Sequence, residues 1–581
     1  MIVTIHQEQN YLESIAMIVS KINQGDLKII LPTTSSCSKL QQLIVKHSPK
    51  QARILPNIVP IINIDIKSEN IYNIPYNLLT PMSRVHQRTL LTNIIRKEDK
   101  NITISAALDL SFYIMRLFDE LGDFSINVND LEDKTILRSN SEIFYDVAEH
   151  WKHRAEFLKR IYQEWQKTLS HYSKIDLSQY RKNILRAEID AAQNNLYPQI
   201  IAGIFPSSPL IKELASIISL SNSSYFIPPA MDISKLEDYN NTSSKTHYYY
   251  QLGKISDVIS ISDQYANTDS QDSNYTCNDT LLEFSTAPNL RIESELIVDK
   301  ISSWLNENKK ASIAMICQNN ELINMCSNLL SYRMISNIQL NGYSLVKTKP
   351  YEFLILLIEA HDKFNMVDLE KLMTLLKTHY LFSKEIRDFE LSFRKNNLEP
   401  NIYVKDEIKQ LSPSLKSYIS LAEKLAPNLW YSTEGKALSD FLYEVLQIEN
   451  IEELTEGHYV EFLNAIAQQA RYHKNIGTEQ VIFMSLEDAS VCGYDYIIIS
   501  DMNEGSIPNK TSSDPWMNPK MRENIGLIDM SDKIGIEWYY FKNLLHRKRI
   551  YMTRAEKKNG VPTQTSRFLQ ELISSGIINA T

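Results

Sequence analysis

The residues with the clearest chemical potential follow an apolar run near the carboxyl end of the chain. Tyr496–Ile499 is β-prone, and the polar turn after it contains Asp501, Asn503, Glu504 and Gly505. A buried strand that ends in a glycine-containing loop is a common way for open α/β folds to build binding sites. We expect these four residues to form a loop at the carboxyl edge of a parallel sheet, where their main role is turn geometry and hydrogen bonding.

A strongly basic segment lies downstream of that loop. Residues 541–560 contain seven cations and one acid, Glu556, so the segment has a net charge of +6. Each cation that contacts a phosphate adds to the salt dependence of nucleic-acid binding. The segment is a candidate DNA-binding or partner-binding surface, and a solvated surface around a strand is the alternative. The cations are Lys542, Arg547, Lys548, Arg549, Arg554, Lys557 and Lys558.

A short β-prone run, Ile2–Ile5, begins the chain, and the turn after it is the place where an α/β fold would put a nucleotide-binding loop. Such a loop needs glycines, so that backbone N–H groups can surround the phosphates, and a lysine for their charge. The turn has neither, and Glu8 would repel a triphosphate. We therefore interpret it as a degenerate phosphate-binding position. Its residues are His6, Gln7, Glu8, Gln9 and Asn10.

Composition limits the class of protein. The 581 residues suggest about four domains, and a net charge of −9 would repel DNA unless the basic residues cluster. Fourteen glycines are few for this length. Five cysteines without a Cys-x-x-Cys pair predict a reducing compartment and no metal site. With no long apolar run and no secretory signal, the expected location is the cytoplasm, with no membrane partner.

Strand-like and helix-like patterns alternate, which predicts an α/β fold with parallel sheets. A long amphipathic helix is expected around Trp151, Leu158 and Trp165. The residues 231–280 are rich in Ser, Asp, Asn and Thr and are the best candidate for a linker. The predicted units are a first sheet domain at 1–90 and 196–230, its helical insertion at 91–195, a second sheet domain at 281–344 and 478–572, its helical insertion at 345–477, and a short final segment at 573–581.

Several stretches resemble superfamily 1 helicases of the UvrD type. Glu293–Ile301 with Ser312–Asn320 resembles the opening of the second motor domain, and Ser566–Leu572 resembles its end. An ordered set over nearly the whole chain is more similar to AddB, the second subunit of the AddAB helicase–nuclease, in its alphaproteobacterial form. The set comprises Ile29–Thr34, Leu79–Arg84, Glu149–Trp151, Ala202–Ser208, Tyr225–Pro229, Met502–Pro508 and Asp514–Trp516.

The resemblance implies two RecA-like domains, each with a helical insertion, in a subunit that binds DNA and an AddA-like partner during double-strand break repair. AddB proteins continue into a nuclease domain of the PD-(D/E)XK type, so the chain is expected to be a form without it. ATP and magnesium are expected in the partner, with no cofactor bound here.

Two more motor elements are missing from the matching positions. Gly203–Pro206 stands where an acidic pair would hold magnesium. Counting back from Ser566 puts Leu545 where the arginine finger of a motor should be, although Arg547 is nearby. Arg554 lies in a Thr-Arg-Ala sequence that is similar to the family's own Thr-Arg-Ala element. No catalytic residue is therefore predicted. An active superfamily 1 helicase and a protein-interaction scaffold without DNA binding remain the alternatives.

Overall fold

The structure is a computed structural model that describes most of the chain. Within the described part, two parallel sheets are flanked by helices, which confirms the predicted α/β class with parallel sheets. The predicted linker lies outside the described residues, apart from a two-residue strand. The described ranges are 2–7, 9–22, 26–47, 55–61, 79–131, 144–221, 223–230, 265–266, 281–363, 411–448, 457–474, 479–494, 496–510 and 514–578.

The first sheet has the strand order β3-β2-β4-β5-β1-β6, and every neighbouring pair is parallel. Its central strands are short and rich in isoleucine, and they are buried on both faces, as is typical of parallel sheets covered by helices. The strands are β1 (Ile2–Val3), β2 (Lys28–Leu31), β3 (Asn57–Pro60), β4 (Gln199–Ala202), β5 (Tyr225–Ile227) and β6 (Tyr265–Ala266).

Helices of the first domain cover this sheet, and a helical insertion separates β3 from β4. In the insertion, Trp151, Leu158 and Trp165 are buried on one face of a 28-residue helix, as predicted. Glu188 of the last inserted helix pairs with Lys28 of β2, and both are almost fully buried. This ion pair fixes the insertion to the sheet. The helices are α1 (Tyr11–Lys21), α2 (Thr34–His47), α3 (Arg84–Glu98), α4 (Ile104–Asp123), α5 (Phe144–His171), α6 (Leu177–Gln193) and α7 (Pro209–Leu220).

The second sheet has the order β7-β14-β13-β8-β12-β9, again with parallel pairs throughout. Two small antiparallel pairs, β10 with β11 and β15 with β16, lie outside it. The strands are β7 (Leu281–Ala287), β8 (Ile313–Ile316), β9 (Asn337–Gln339), β10 (Tyr343–Ser344), β11 (Arg471–Tyr472), β12 (Val481–Met484), β13 (Tyr496–Ile499), β14 (Arg549–Ala555), β15 (Lys557–Lys558) and β16 (Val561–Pro562).

The second domain also has a helical insertion, between β10 and β11, and its hydrophobic core includes Ile104 and Leu108 of α4. A larger core runs without interruption from the first sheet to the second, so the two domains are packed together. The helices of this half are α8 (Leu290–Glu307), α9 (Asn320–Tyr332), α10 (Lys349–Lys363), α11 (Leu415–Leu425), α12 (Thr433–Leu446), α13 (Tyr459–Ala467), α14 (Leu486–Cys492), α15 (Pro519–Ile525), α16 (Met530–Leu544) and α17 (Arg567–Ser574).

Candidate functional site

The turn between β1 and α1 is bonded within itself. The backbone N–H of Gln9 donates to the carbonyl oxygen of His6 at 3.0 Å, so this donor is already used within the turn. Gln7 is buried, and Asn10 directly precedes the first residue of α1. The predicted strand–turn–helix is therefore present, and Glu8 lies outside the described residues.

Arg547 crosses from the second domain to this turn. Its Nη1 donates to the carbonyl oxygen of Gln9 at 3.2 Å, and its Nη2 donates to that of Ser490 at 3.4 Å. The side chain is only 6 % exposed. The prediction that Arg547 belongs to a surface patch is therefore wrong, because carbonyl oxygens of both domains hold its charge inside the molecule.

The short helix α14 fills the space next to the turn. Gly493, which ends it, has a φ of +66°, and its carbonyl oxygen accepts from Nδ2 of Asn10 at 3.4 Å. A Cβ atom at this position would lie 2.4 Å from Oδ1 of Asn10. Only glycine allows both the left-handed conformation and such close contact between the two domains.

Polar contacts fix the other face of α14. Asp488 is buried, and its carboxylate accepts from Oγ1 of Thr33 at 2.6 Å and from Oγ of Ser485 at 2.7 Å. Next to it, Glu487 accepts from the hydroxyl of Tyr540 at 3.1 Å. Burial first, and the nearby carboxylate of Asp488 second, raise the pKa of Glu487 to about 7, while the hydrogen bond from Tyr540 opposes them. Both acids therefore contribute to domain packing.

An aromatic contact occupies the position where the sequence comparison placed a missing acidic pair. Phe205, just after β4, packs edge-on against Tyr539 of α16 with ring centroids 5.8 Å apart. The Tyr539 hydroxyl donates to the carbonyl oxygens of Ala230 at 2.7 Å and Pro229 at 3.1 Å. Both rings are buried, so this part of the cleft is hydrophobic core.

The basic segment 541–560 does not form one continuous cationic surface. Arg549 pairs with Glu307 of α8 and lies over the ring of Tyr496. Arg554 donates to Oδ1 of Asn503 at 3.2 Å and to Thr563 at 3.3 Å. An acid distant in sequence thus offsets the charge of Arg549, and neutral acceptors hold Arg554, which a charge count within the segment cannot include.

The remaining cations of the segment divide into two groups. Lys558 is partly buried and donates to Oδ2 of Asp501 at 2.6 Å, and Lys542 lies 3.7 Å from a carboxylate oxygen of Glu571. Lys548 and Lys557 have exposed side chains. Of the seven cations predicted to contact DNA, these two are the most exposed.

The loop after β13 is fixed by buried hydrogen bonds. Asp501 is fully buried with a φ of +55°, and its Oδ1 accepts from Nδ2 of Asn503 at 2.7 Å. Glu504 forms an ion pair with Arg567 at the start of α17, and Gly505 has a φ of +88°. The loop therefore joins β13 to the β15–β16 hairpin and to α17.

A buried carboxyl group supports this loop from below. Oε1 of Glu293 accepts from the backbone N–H of Asp501 at 2.8 Å and from Oγ1 of Thr553 at 2.7 Å. Its Oε2 has no hydrogen-bond partner among the described residues. Burial is the main cause that raises the pKa of Glu293 to about 7, and the charge of Asp501 acts in the same direction, while Lys558 opposes it.

A polar pocket opens beside this loop at the carboxyl edge of the second sheet. It has a volume of about 530 Å³ and lies at the ends of β8, β9 and β12. Amide and hydroxyl groups dominate its lining, with one cation, Arg471 of β11. The polar lining residues are Gln318, Asn319, Asn320, Gln339, Asn341, Arg471, Ser485, Ser506 and Asn509.

Sequence reasoning did not identify this pocket as a site. A signal for it was present at Gln318–Asn320, because three amides come one residue after a buried strand. Arg471 could not be found in that way, since it comes from the far end of the helical insertion and reaches the sheet only through the pairing of β10 with β11.

The described residues contain neither a metal-binding cluster nor a helix that could span a membrane. No cluster of three or more histidine, cysteine, aspartate or glutamate side chains in those ranges has the arrangement needed to hold a metal ion. None of the helices in the same ranges combines the length and the apolar character needed to cross a membrane.

The chain is similar to long proteins of Rickettsia. It is 24 % identical over 575 residues to an uncharacterized protein of Rickettsia typhi, covering 97 % of this chain and 59 % of that protein. An uncharacterized protein of Rickettsia bellii is 22 % identical over 599 residues, covering 98 % and 62 %. No protein-family model matches the sequence. The chain thus spans about three fifths of the length of these relatives.

Proposed function

We propose that this chain is a helicase-like, DNA-binding subunit of an AddAB-type helicase–nuclease that acts in double-strand break repair, and that it does not hydrolyse ATP itself. The observation that carries the proposal is the covered turn after β1. Arg547, Gly493 and Phe205 all take part in contacts between the domains at positions where a motor would need open space for a nucleotide. The principal motor would then belong to an AddA-like partner.

The two-domain packing supports this separation of roles. A motor of this class alternates between open and closed arrangements of its domains around ATP. Here one hydrophobic core includes Tyr11 of the first domain and Tyr539 of the second, both fully buried. Opening the cleft would expose that core to water, at a cost of about 25 cal/mol per Å² of apolar surface. A fixed pair of domains suits a subunit that holds DNA.

The polar pocket is the best candidate for the DNA contact. It presents amide groups, which both donate and accept hydrogen bonds, together with the guanidinium of Arg471. Amides suit base edges, and a guanidinium suits a phosphate. With a net charge of −9 for the whole chain, local chemistry of this kind is needed to bind a polyanion.

The first test measures binding of a fluorescent oligothymidine by anisotropy at several salt concentrations. We expect salt-sensitive binding that weakens about tenfold in Arg471→Gln, since one charge-assisted contact is lost. Arg333→Gln is the matched control, because Arg333 pairs with Asp299 on the surface and does not line the pocket. Its affinity should stay within about twofold of the original.

The second test asks whether the purified chain hydrolyses ATP with and without DNA. We expect no DNA-stimulated hydrolysis. A clear stimulation would favour the alternative of an active superfamily 1 helicase. If the chain bound no DNA at any salt concentration, the scaffold without DNA binding would be the better description.

A further inference from the structure

A second cavity lies where the first helical insertion meets the second domain. It has a volume of about 410 Å³, within the range of pockets that bind small molecules. Side chains of α4 form one wall, and the Asp514–Pro519 segment with the first turn of α16 forms the other. The Asp-Pro-Trp sequence at 514–516 therefore lines this cavity and belongs neither to the covered turn nor to the polar pocket.

Hydrogen bonds hold the second wall in place. Oδ1 of Asp514 accepts from the backbone N–H of Trp516 at 2.8 Å, and Oδ2 accepts from Nη1 of Arg522 at 2.6 Å. Arg522 also pairs with Glu120 of α4, so the two walls are linked directly. The charge of Arg522 is thus balanced by two carboxylates, and the cavity is organised before any ligand enters.

Two further cations line the cavity without a direct carboxylate partner, and Arg116 also lies over the ring of Phe112. Arg116 of α4 and Lys533 of α16 form no ion pair with a described carboxylate. Burial lowers the pKa of Lys533, and the charges of Arg522 and Arg116 lower it further, although Glu120 and Asp514 oppose them. Three cations therefore face two carboxylates in a partly enclosed space, where an anion would be stabilised.

Apart from Asn518, the rest of the lining is apolar. Tyr113 and Trp516 contribute aromatic rings, next to two prolines and the side chains of Met517 and Met530. The Nε1–H of Trp516 is buried and has no hydrogen-bond partner among the described residues. That nitrogen has almost no accessible surface, so it contributes no hydrogen bond to a ligand in the cavity.

From this combination we infer that the cavity binds a nucleotide, with its phosphate at Arg116 and Lys533 and its base against Trp516. A mononucleotide in solution and one unit of a DNA strand share this chemistry. The inference does not rest on the proposed function, because none of these residues belongs to the covered turn or lines the polar pocket.

The experiment uses the full chain labelled with 5-fluorotryptophan and followed by fluorine NMR. The sequence has six tryptophans, and Trp516→Phe identifies the resonance of Trp516 by its loss. The protein is titrated with deoxyadenosine monophosphate and, separately, with an oligothymidine. We expect the Trp516 resonance to shift, and Arg116→Gln and Lys533→Gln each to weaken binding about tenfold.

Lys520→Gln is the matched control, because Lys520 lies on α15, is largely exposed and does not line the cavity. It should change affinity by less than about twofold. A shift with the mononucleotide supports a free nucleotide as ligand, and a shift with the oligothymidine alone supports a DNA strand. If neither probe moves the Trp516 resonance, or if the control weakens binding as much as Lys533→Gln, the inference is wrong. Anisotropy that still reports DNA binding in that case leaves the proposed function intact.

Discussion

The carboxyl edges of the two sheets have opposite surroundings. After β1 and β4, the first sheet is covered by α14, α16 and Arg547 of the second domain. After β8, β9 and β12, the second sheet opens into a polar pocket of about 530 Å³. Parallel sheets place their binding loops at this edge. The covered edge has become part of the core, whereas the open edge still has room for a ligand.

The largest expected effect comes from breaking the covered edge. Tyr539→Ala removes a fully buried ring and two hydrogen bonds to the first domain. We expect it to lower the free energy of unfolding by about 3–5 kcal/mol, the usual cost of truncating a buried aromatic residue. Urea denaturation gives this value. Tyr431→Ala is the control, since Tyr431 is 76 % exposed and its loss should cost less than about 0.5 kcal/mol.

A loss below about 1 kcal/mol in Tyr539→Ala would mean that the interface between the domains contributes little. The two edges would then differ only in shape. Tyr539→Phe refines the measurement, because it keeps the ring and removes the hydroxyl, at an expected cost of about 1 kcal/mol.

Sequence reasoning succeeded where neighbouring residues decide the structure. The strand at Tyr496–Ile499 and the apolar face of α5 were both predicted, because an apolar β-prone run and a helical spacing are local patterns. The degenerate character of His6–Asn10 was also readable from residue types alone. The covering of this turn could not be predicted from residue types, since the groups that cover it come from more than 480 residues away in the chain.

The same dependence on residues distant in sequence explains why the basic segment was predicted as one cationic surface. Arg549 has its carboxylate partner 242 residues earlier, and Arg547 reaches a carbonyl group 538 residues earlier. A local charge count treats all such residues as solvated. Tertiary packing decided which of them remained at the surface.

The second prediction concerns pH and compares one buried acid at each edge. The pKa of Glu293 in the folded state is about 7, above its ordinary value of 4.5. Folding therefore favours the protonated form, so the stability from this group is fully present below pH 4.5 and is lost as the pH rises through 7. We expect a loss of about 2–3 kcal/mol between these limits, measured by denaturant unfolding at several pH values.

Glu293→Gln should remove this part of the pH dependence, because the amide stays neutral. Glu487→Gln makes the corresponding change at the covered edge, where the pKa of Glu487 is also about 7. Its effect on the pH profile should be of similar size, because an equal rise in pKa makes an equal contribution to the pH dependence of stability. A pH profile that is identical in the original chain and in Glu293→Gln would contradict this account.

The smallest expected effect is at Arg549, a cation of the basic segment that lies at neither edge. Arg549→Gln removes a partly exposed cation whose charge is offset by Glu307. We expect DNA affinity within about twofold of the original and a stability change below about 1 kcal/mol, as is usual for surface ion pairs. The anisotropy assay that tests Arg471→Gln measures both variants under the same conditions. If Arg549→Gln weakened binding more than Arg471→Gln did, the DNA would follow the basic segment, and the open edge of the second sheet would need another ligand.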